Sequence, residues 1–298
     1  MLRSSNPTWK AFEKPQRWDD LAGSEGGATS APTKTATMTI GGTAQAAGMQ
    51  LGAAFLGAMI AWYLVSNDII PPGVSAGMML GVFAILFIGG MVMGAKPRIA
   101  IVLGPVLSAL YGAVAGLMSY VVAGALGAMM INNPGLVGLP ANIAELPIAE
   151  QQALAVQQGS GVICQAILLT MGVAAVTLIT TATGIIRIRG TVAKVITFAT
   201  VAVMLVYVLG MVLRLIGFGG IPMIHEAGPV GIAFSGFVVL LAAANLIMAY
   251  QNVEDGVRAG QPKYMEWYAG YAIVSTIIWL YIEILFLLYK IYASMNSE

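Results

Sequence analysis

Apolar runs of about 20 residues recur along the chain and are separated by shorter polar stretches. A helix rises about 1.5 Å per residue, so a run of this length crosses a hydrocarbon core of about 30 Å. Because the membrane core offers no water to backbone groups, we interpret the runs as transmembrane helices. Seven are predicted: Ala46 to Val65, Gly73 to Met93, Ile99 to Met130, Gly159 to Thr183, Lys194 to Phe218, Val230 to Gln251 and Trp267 to Tyr292.

The polar stretches predict the domain organisation. Residues 1–44 are polar and rich in small residues, which predicts a flexible cytoplasmic tail, and residues 45–298 form the transmembrane domain. Residues 131–158 predict a longer outer loop. The third apolar run is too long for a perpendicular span, so we expect it to tilt, to protrude or, more specifically, to break at Gly104-Pro105. We expect no cleaved signal peptide.

Composition supports this interpretation and argues against several classes of function. Of the 298 residues, 58% are hydrophobic and 9% are charged, whereas soluble domains are about 25% charged. One cysteine and one histidine cannot supply a disulfide, a structural zinc site or paired haem ligands. The scattered basic residues do not predict nucleic-acid binding. No aspartate or histidine falls inside a span, so we expect no enzyme, and we predict no cofactor.

Charges in the predicted loops indicate an orientation, because short loops rich in Lys and Arg stay cytoplasmic. We expect a cytoplasmic N-terminus and, after seven spans, an outer C-terminus. Only Lys290, at the end of the last span, argues against the outer C-terminus. The basic residues fall in the tail and in alternate loops: Lys10, Lys14, Arg17, Lys96, Arg98, Arg187, Arg189, Lys194, Arg258 and Lys263.

Small residues recur at four-residue spacing in the first three predicted helices. Such faces let helices approach closely in lipid, where no hydrophobic drive packs them. We interpret them as intramolecular packing, with a dedicated dimer face as the alternative. They are Gly48, Gly52, Ala53, Gly57 and Ala61, then Gly77, Gly81, Gly90 and Gly94, then Gly112, Gly116, Ala123 and Gly127.

One carboxylate, Glu283 in WLYIEILFLLYK, is predicted to lie near the middle of a span, whereas the other Asp and Glu residues fall in the tail, the loops or the C-terminal end. An acid at that depth is protonated unless a cation or a water-filled cavity supports its charge. We predict that Glu283 is the only buried acid and responds to protons or cations; the alternative is a protonated acid that hydrogen-bonds a neighbouring helix. Helix seven is predicted to be central because Glu283 shares a mixed face with Thr276, Trp279, Leu280, Phe286, Leu287 and Lys290.

Amides near the end of helix six are candidates to line an ion path with Glu283. Asn245 and Asn252 fall on one stripe, and Gln251 lies beside it. Their side chains could coordinate a cation or hydrogen-bond Glu283. The alternatives are a single interhelical hydrogen bond for Asn245 and an interfacial position for Gln251.

Four further residues have a structural and a functional interpretation, and a fifth, Cys164, has a structural one only. Glu254 and Asp255 are solvated loop charges or a mouth that attracts cations. Arg214 snorkels to the interface or is the charge partner of a buried acid. His225 is a surface residue or a pH sensor, and Cys164 is a small apolar filler. No metal ligand set is predicted with certainty.

Three stretches and the seven-span count resemble the Bax-inhibitor-like family, in particular its bacterial YccA-type branch. The stretches are RSSNP near the start, GPVGIAFSGFVVLLAAANL in helix six, and NVEDGVRAGQPKYMEWYAGYAIVSTIIWLYIEIL, which runs into helix seven. The resemblance covers most of the chain from helix one onward. It implies a multi-pass protein of the plasma or inner membrane whose central seventh helix is ringed by six others.

The resemblance also implies a function. Some members are regarded as pH-sensitive Ca²⁺ leaks built on two acids, one at the end of helix six and one in helix seven. Glu283 matches the second position, but the first, in a D-x-Q context, falls on Ala249, and Gln251 or Asn252 would have to substitute. The family's closing arginine belongs on helix two, whereas Gly73 to Gly94 carries no charge.

We therefore expect an all-α, polytopic membrane protein that is a candidate pH-sensitive Ca²⁺ or cation leak centred on Glu283. Other family members are described as modulators of an ATP-dependent membrane protease or of cell death. They imply the alternative, a non-conducting regulatory protein with a membrane protease or another protein as its partner. A small-solute transporter is a weaker hypothesis, because paired broken helices are not apparent.

Overall fold

The structure is a computed structural model that describes residues 36–70, 72–132, 146–215 and 227–295. The predicted tail up to residue 35, most of the predicted outer loop and His225 lie outside these residues. Seven α-helices are described: α1 Ile40–Ser66, α2 Pro72–Ala95, α3 Ala100–Asn132, α4 Ile148–Ala182, α5 Gly190–Leu215, α6 Pro229–Arg258 and α7 Met265–Met295.

The lengths and surfaces of the helices are those of a multi-pass membrane protein. Six of the described helices, all except α2, are long and apolar enough to cross a membrane, and α2 contributes a shorter apolar stretch, Gly81–Ala95. Large apolar side chains point outward, for example Phe87, Leu168 and Leu240, each about 70% exposed. A soluble protein does not leave such surfaces open to water. The predicted all-α, polytopic fold is confirmed.

Helix α7 is the central helix of the described bundle, as predicted. It packs against α1, α3, α4 and α6. Buried residues occur along its whole length, from Gly270 through Ile278 to Leu285. Helix α2 packs mainly on α3, and α5 packs mainly on α6. These two helices therefore lie at the periphery of the bundle.

Small residues bring α1, α3 and α4 into backbone contact. A Cβ atom at Gly112 of α3 would collide with the carbonyl group of Ala54 in α1. In the same way, a Cβ atom at Gly127 would collide with the carbonyl group of Ala155 in α4. The predicted intramolecular packing is confirmed at these positions. A Cβ atom at Gly48, by contrast, would meet nothing within 4 Å.

The predicted break at Gly104-Pro105 is wrong, because α3 continues through Pro105. Pro105 lies in the second turn, where it removes the backbone hydrogen bond that an N–H would donate to the carbonyl group of Ile101, and α3 accommodates this loss without ending. The adjoining Gly104 lies against the side-chain amide of Gln50 from α1. The first part of this long helix is thus held by tertiary packing.

Helix α4 begins earlier than predicted, at Ile148. The glutamine-rich sequence after this residue was assigned to the outer loop of residues 131–158, but it forms the first turns of the helix. Ala155 is 5% exposed and Val162 is 3% exposed, whereas Gln157 points outward. The buried small and apolar residues pack the first turns of the helix against the bundle, so these turns form although their sequence is polar.

Candidate functional site

Glu283 lies inside the bundle on α7 and is 3% exposed. Two side chains donate hydrogen bonds to its Oε1 atom: Tyr207 Oη of α5 at 2.8 Å, and Trp279 Nε1, one turn earlier in α7, at 3.0 Å. Both donors are neutral. They can stabilise an ionised carboxylate, and they can remain in place when the other oxygen, Oε2, carries a proton. The site therefore accommodates both protonation states of one carboxyl group.

Lys290 is a buried base on the same helix, two turns after Glu283, and it is 6% exposed. Its Nζ atom donates hydrogen bonds to the carbonyl oxygen of Gly231 at 3.2 Å and to Ser235 Oγ at 2.7 Å, both on α6. The sequence pattern suggested a residue at the end of the span. The structure places its ammonium group within the bundle, fastened to the first turns of α6.

The amide of Asn245 connects α6 to α5. Its Nδ2 atom donates to Thr200 Oγ1 at 2.7 Å and to the carbonyl oxygen of Leu241 at 2.8 Å. Among the described hydrogen bonds, none joins Asn245 to Glu283. The geometry matches the interhelical hydrogen bond that was the structural alternative for this residue.

Gln251 fastens the connection between α4 and α5 to the end of α6. Its Oε1 atom accepts a hydrogen bond from the backbone N–H of Ile188 at 3.3 Å, and its Nε2 atom donates to the carbonyl oxygen of Ile186 at 3.4 Å. Asn252 is exposed beside it. In the described part of the chain, the structure does not bring either amide into hydrogen-bond contact with Glu283.

Glu254 and Asp255 lie in a network of ion pairs at the same end of α6. Arg187 lies 3.9 Å from Glu254, and Arg189 lies 3.9 Å from Asp255. Arg258 contacts both carboxylates, at 3.1 Å and 3.5 Å. Exposed pairs of this kind contribute at most about 1 kcal/mol each. These acids are matched by arginines from the α4–α5 connection and from their own helix.

Glu266, at the start of α7, is a second buried acid and is 4% exposed. Its Oε1 atom accepts hydrogen bonds from the backbone N–H of Thr39 at 3.0 Å and from Thr39 Oγ1 at 2.9 Å. A Cβ atom at Gly42 would collide with this carboxylate, which therefore lies against the first turn of α1. The prediction that Glu283 is the only buried acid is wrong, because a chain segment that is distant in sequence covers Glu266.

The segment that covers Glu266 comprises residues 36–39, here called the strap. Its backbone pairs with the α6–α7 connection: the N–H of Met38 donates to the carbonyl oxygen of Gln261 at 2.7 Å, and the N–H of Lys263 donates to that of Ala36 at 3.0 Å. The side chain of Met38 is buried. The strap therefore fixes the start of α1 to the start of α7.

A groove of about 690 Å³ opens between α1, α3, α4 and α7. Small and apolar residues line most of it, for example Ala58, Gly116 and Ile167. Two of its polar side chains, Ser119 and Tyr281, hydrogen-bond each other at 2.6 Å. Glu283 is not among the lining residues. The groove therefore does not lead to the buried acid.

Within the described part of the chain, no other candidate site residue that the sequence singled out hydrogen-bonds Glu283. Cys164 is an exposed free cysteine on α4, and the side chain of Arg214 and all of His225 lie outside the described residues. Within the described ranges, no group of three or more His, Cys, Asp or Glu side chains is placed to hold a metal ion.

The two donors to Glu283 were not predicted as site residues. Trp279 precedes Glu283 by four residues, so the sequence placed both on one helix face but did not indicate that the indole N–H donates. Tyr207 is on another helix, and nothing in its local sequence pairs it with Glu283.

A sequence model of a protein family described as Bax inhibitor 1 like matches residues 10–141 and 148–293. The match includes Glu266, Glu283 and Lys290 on α7, and also Tyr207 on α5. No curated protein and no solved structure matches the chain.

Proposed function

The chain belongs to the Bax inhibitor 1 like family, and we propose that it is a pH-responsive cation leak in which protonation of Glu283 controls the path. Ca²⁺ is the first ion to test. The observation that carries the proposal is the hydrogen bond from Tyr207 of α5 to Glu283 at 2.8 Å. This bond joins a peripheral helix to the only buried acid of the middle of α7 among the described residues.

Helix α5 is the element that Glu283 holds. An apolar cluster that includes Val203 of α5 and Val238 and Leu241 of α6 packs the two helices together. Trp279 of α7 packs against the same cluster. Beyond this cluster, the described side-chain hydrogen bonds between α5 and other helices, here called ties, are that of Tyr207 to Glu283 and that of Asn245 to Thr200. A helix with few such contacts can shift at small cost when one tie weakens.

Protonation of Glu283 weakens that tie. Hydrogen bonds to an ionised acceptor are about twice as strong as bonds between neutral groups. When Glu283 gains a proton, the bonds from Tyr207 and Trp279 lose this charge assistance, and α5 is held less firmly against α7. We therefore expect the leak to increase as the pH falls.

Glu283 acts in this proposal as a gate and not as a permanent cation ligand. Its described neighbours Tyr207 and Trp279 present N–H and O–H groups to the carboxylate. Donors stabilise an anion, whereas a bound Ca²⁺ requires several oxygen acceptors. We place the protein in the plasma or inner membrane, as the family resemblance implies, and its N-terminus in the cytoplasm on the basis of the loop charges.

The test is flux through protein reconstituted in liposomes that contain a Ca²⁺-sensitive dye, measured across a range of pH. The variant Glu283→Gln keeps an oxygen that accepts both hydrogen bonds, but it cannot titrate. We expect wild-type flux to change with pH and Glu283→Gln flux to stay constant. Glu150→Gln, at an exposed acid, is the matched control and should behave as wild type. Flux that is flat with pH and identical in wild type and Glu283→Gln would contradict the proposal.

A non-conducting regulatory protein is the second candidate, and the strap is the observation that favours it. Residues 36–39 belong to the predicted tail of residues 1–44, and Thr39 contacts Glu266 of α7. A membrane protease or another protein that binds the preceding part of the tail would thereby act on the central helix. Deletion of residues 2–35 keeps the strap and removes that preceding part. Unchanged recovery of partners in a pull-down would argue against this function, as would Ca²⁺ flux by the wild-type protein alone.

A further inference from the structure

We infer that Lys290 is the counter-charge of Glu283 and sets the pH at which Glu283 gains its proton. The inference rests on the proposed function, in which Glu283 is the titrating group, and it names the residue that regulates that site. Both side chains are buried in the bundle, at 3% and 6% exposure. Charged groups in a membrane-spanning bundle are stabilised by one another or by backbone carbonyl groups, and this chain offers both arrangements on one helix.

The two residues lie on one side of α7. Seven residues correspond to about two turns and about 10 Å along the helix axis, with only a small rotation between the side chains. Lys290 is anchored there by neutral oxygens of α6, the carbonyl group of Gly231 and the hydroxyl group of Ser235. These described contacts hold the ammonium group in the bundle, on the side of α7 that carries Glu283.

The other helices bring few charges near the middle of α7. The ionisable group that faces Glu283 from α5 is Tyr207, at 2.8 Å. Helices α1, α2 and α3 carry no Asp, Glu, Lys or Arg, and the charged residues of the remaining three helices lie toward helix ends: Glu150 in α4, Lys194 and Arg214 in α5, and Glu254, Asp255 and Arg258 in α6. Arg214 is the competing counter-charge, since it follows Tyr207 by two turns.

The expected size of the effect follows from the separation. Two unit charges about 10 Å apart, at an effective dielectric constant of about 20, change a proton affinity about tenfold. Removal of the Lys290 charge should therefore let Glu283 keep its proton to a pH about one unit higher. A lysine that only packs against α6 would produce no such shift.

Carbodiimide labelling measures the pH at which Glu283 loses its proton and does not depend on a flux measurement. Dicyclohexylcarbodiimide modifies buried carboxyl groups while they are protonated, and mass spectrometry locates the modification within the peptide that contains Glu283. We expect labelling of Lys290→Met to persist about one pH unit higher than that of wild type. Lys290→Arg should match wild type because it keeps the charge. Ser235→Ala should also match, because it removes a hydrogen bond and keeps the lysine.

The inference is overturned if Lys290→Met has the wild-type labelling midpoint, or if Arg214→Met shifts the midpoint and Lys290→Met does not. Lys290→Gln replaces the methionine variant if that variant does not elute as a single folded species. A shifted midpoint together with pH-independent flux would uphold this inference and contradict the proposed leak. An unshifted midpoint together with pH-dependent flux would do the reverse.

Discussion

Glu266 and Glu283 are both buried carboxylates of α7, but different kinds of donor hold them. Glu266 accepts hydrogen bonds from the backbone and the hydroxyl group of Thr39, at the first turn of α1. Glu283 accepts its hydrogen bonds from the side chains of Tyr207 and Trp279. One acid therefore caps a helix, and the other joins two helices through side chains alone.

The origin of the donors determines what each acid can do. The strap that covers Glu266 is also held by backbone hydrogen bonds to the α6–α7 connection. If the hydrogen bonds to Glu266 weaken, these backbone bonds still hold the strap. The donor Tyr207 belongs to a peripheral helix that packs mainly on α6. A change of charge at Glu283 changes the strength of the hydrogen bond from Tyr207, which is one of the few described polar contacts between α5 and the rest of the bundle. Burial alone therefore does not identify a responsive acid.

The largest expected effect is a loss of stability in Glu266→Ala. The substitution removes the acceptor for two donors of Thr39 and leaves a cavity beneath the strap, so we expect a loss of about 2–4 kcal/mol in the free energy of unfolding. Denaturant titration in mild detergent measures it. Glu150→Ala, at an exposed acid, is the control and should change stability by less than about 0.5 kcal/mol. Equal losses in the two variants would show that the strap holds without Glu266.

The second prediction separates acceptor from charge at Glu283. Glu283→Ala leaves Tyr207 and Trp279 without their acceptor, so we expect a loss of about 2 kcal/mol in the free energy of unfolding. Glu283→Gln keeps an oxygen for both donors and should lose less than about 1 kcal/mol. The same denaturant titration compares the two variants. If both lost the same amount, the charge of Glu283 and not its hydrogen bonds would stabilise the bundle.

The third prediction concerns the tie itself. Tyr207→Phe removes one hydroxyl donor and keeps the ring contact with Phe234, whose centroid lies 6.4 Å away. We expect a loss of about 1 kcal/mol, with faster amide hydrogen exchange in α5 and unchanged exchange in α3. Trp279→Phe is the matched comparison, because it removes the hydrogen-bond donor that lies on α7 itself. We expect amide exchange in α5 to be slower in Trp279→Phe than in Tyr207→Phe. Equal acceleration in every helix would contradict a tie specific to α5.

The fold was predictable because its signals are local. A long apolar run is sufficient to predict a span. Four-residue spacing indicated the close approach at Gly112, but it also marked Gly48, where a Cβ atom would meet nothing within 4 Å. The central position of α7 followed from the mixed face around Glu283. The predicted break at Pro105 failed because packing against α1 outweighs a local preference. The start of α4 at Ile148 was missed because the glutamine-rich first turns are too polar to be recognised as part of an apolar run.

In the candidate site, the burial of Glu283 was predictable from the sequence, but its partners were not. Glu283 is conspicuous because a charge in an apolar run is costly, and this can be recognised within one segment. Tyr207 and the strap over Glu266 are contacts between residues distant in the chain, so no pattern in a single sequence indicates them. Asn245 and Gln251 were singled out for their polarity, but the same polarity serves interhelical and loop contacts. The identity of a polar residue does not specify its partner.

The smallest expected effect comes from the second tie of α5. Thr200→Val keeps the shape of the side chain and removes the acceptor for Asn245, which retains its bond to the carbonyl oxygen of Leu241. We expect a loss of only about 0.5 kcal/mol in the free energy of unfolding. Because neither partner ionises, the pH dependence of Ca²⁺ flux should stay that of wild type, whereas Tyr207→Phe should flatten it. If Thr200→Val also flattened it, general loosening of α5 would explain the response, and the distinction between Glu283 and an ordinary polar contact would no longer hold.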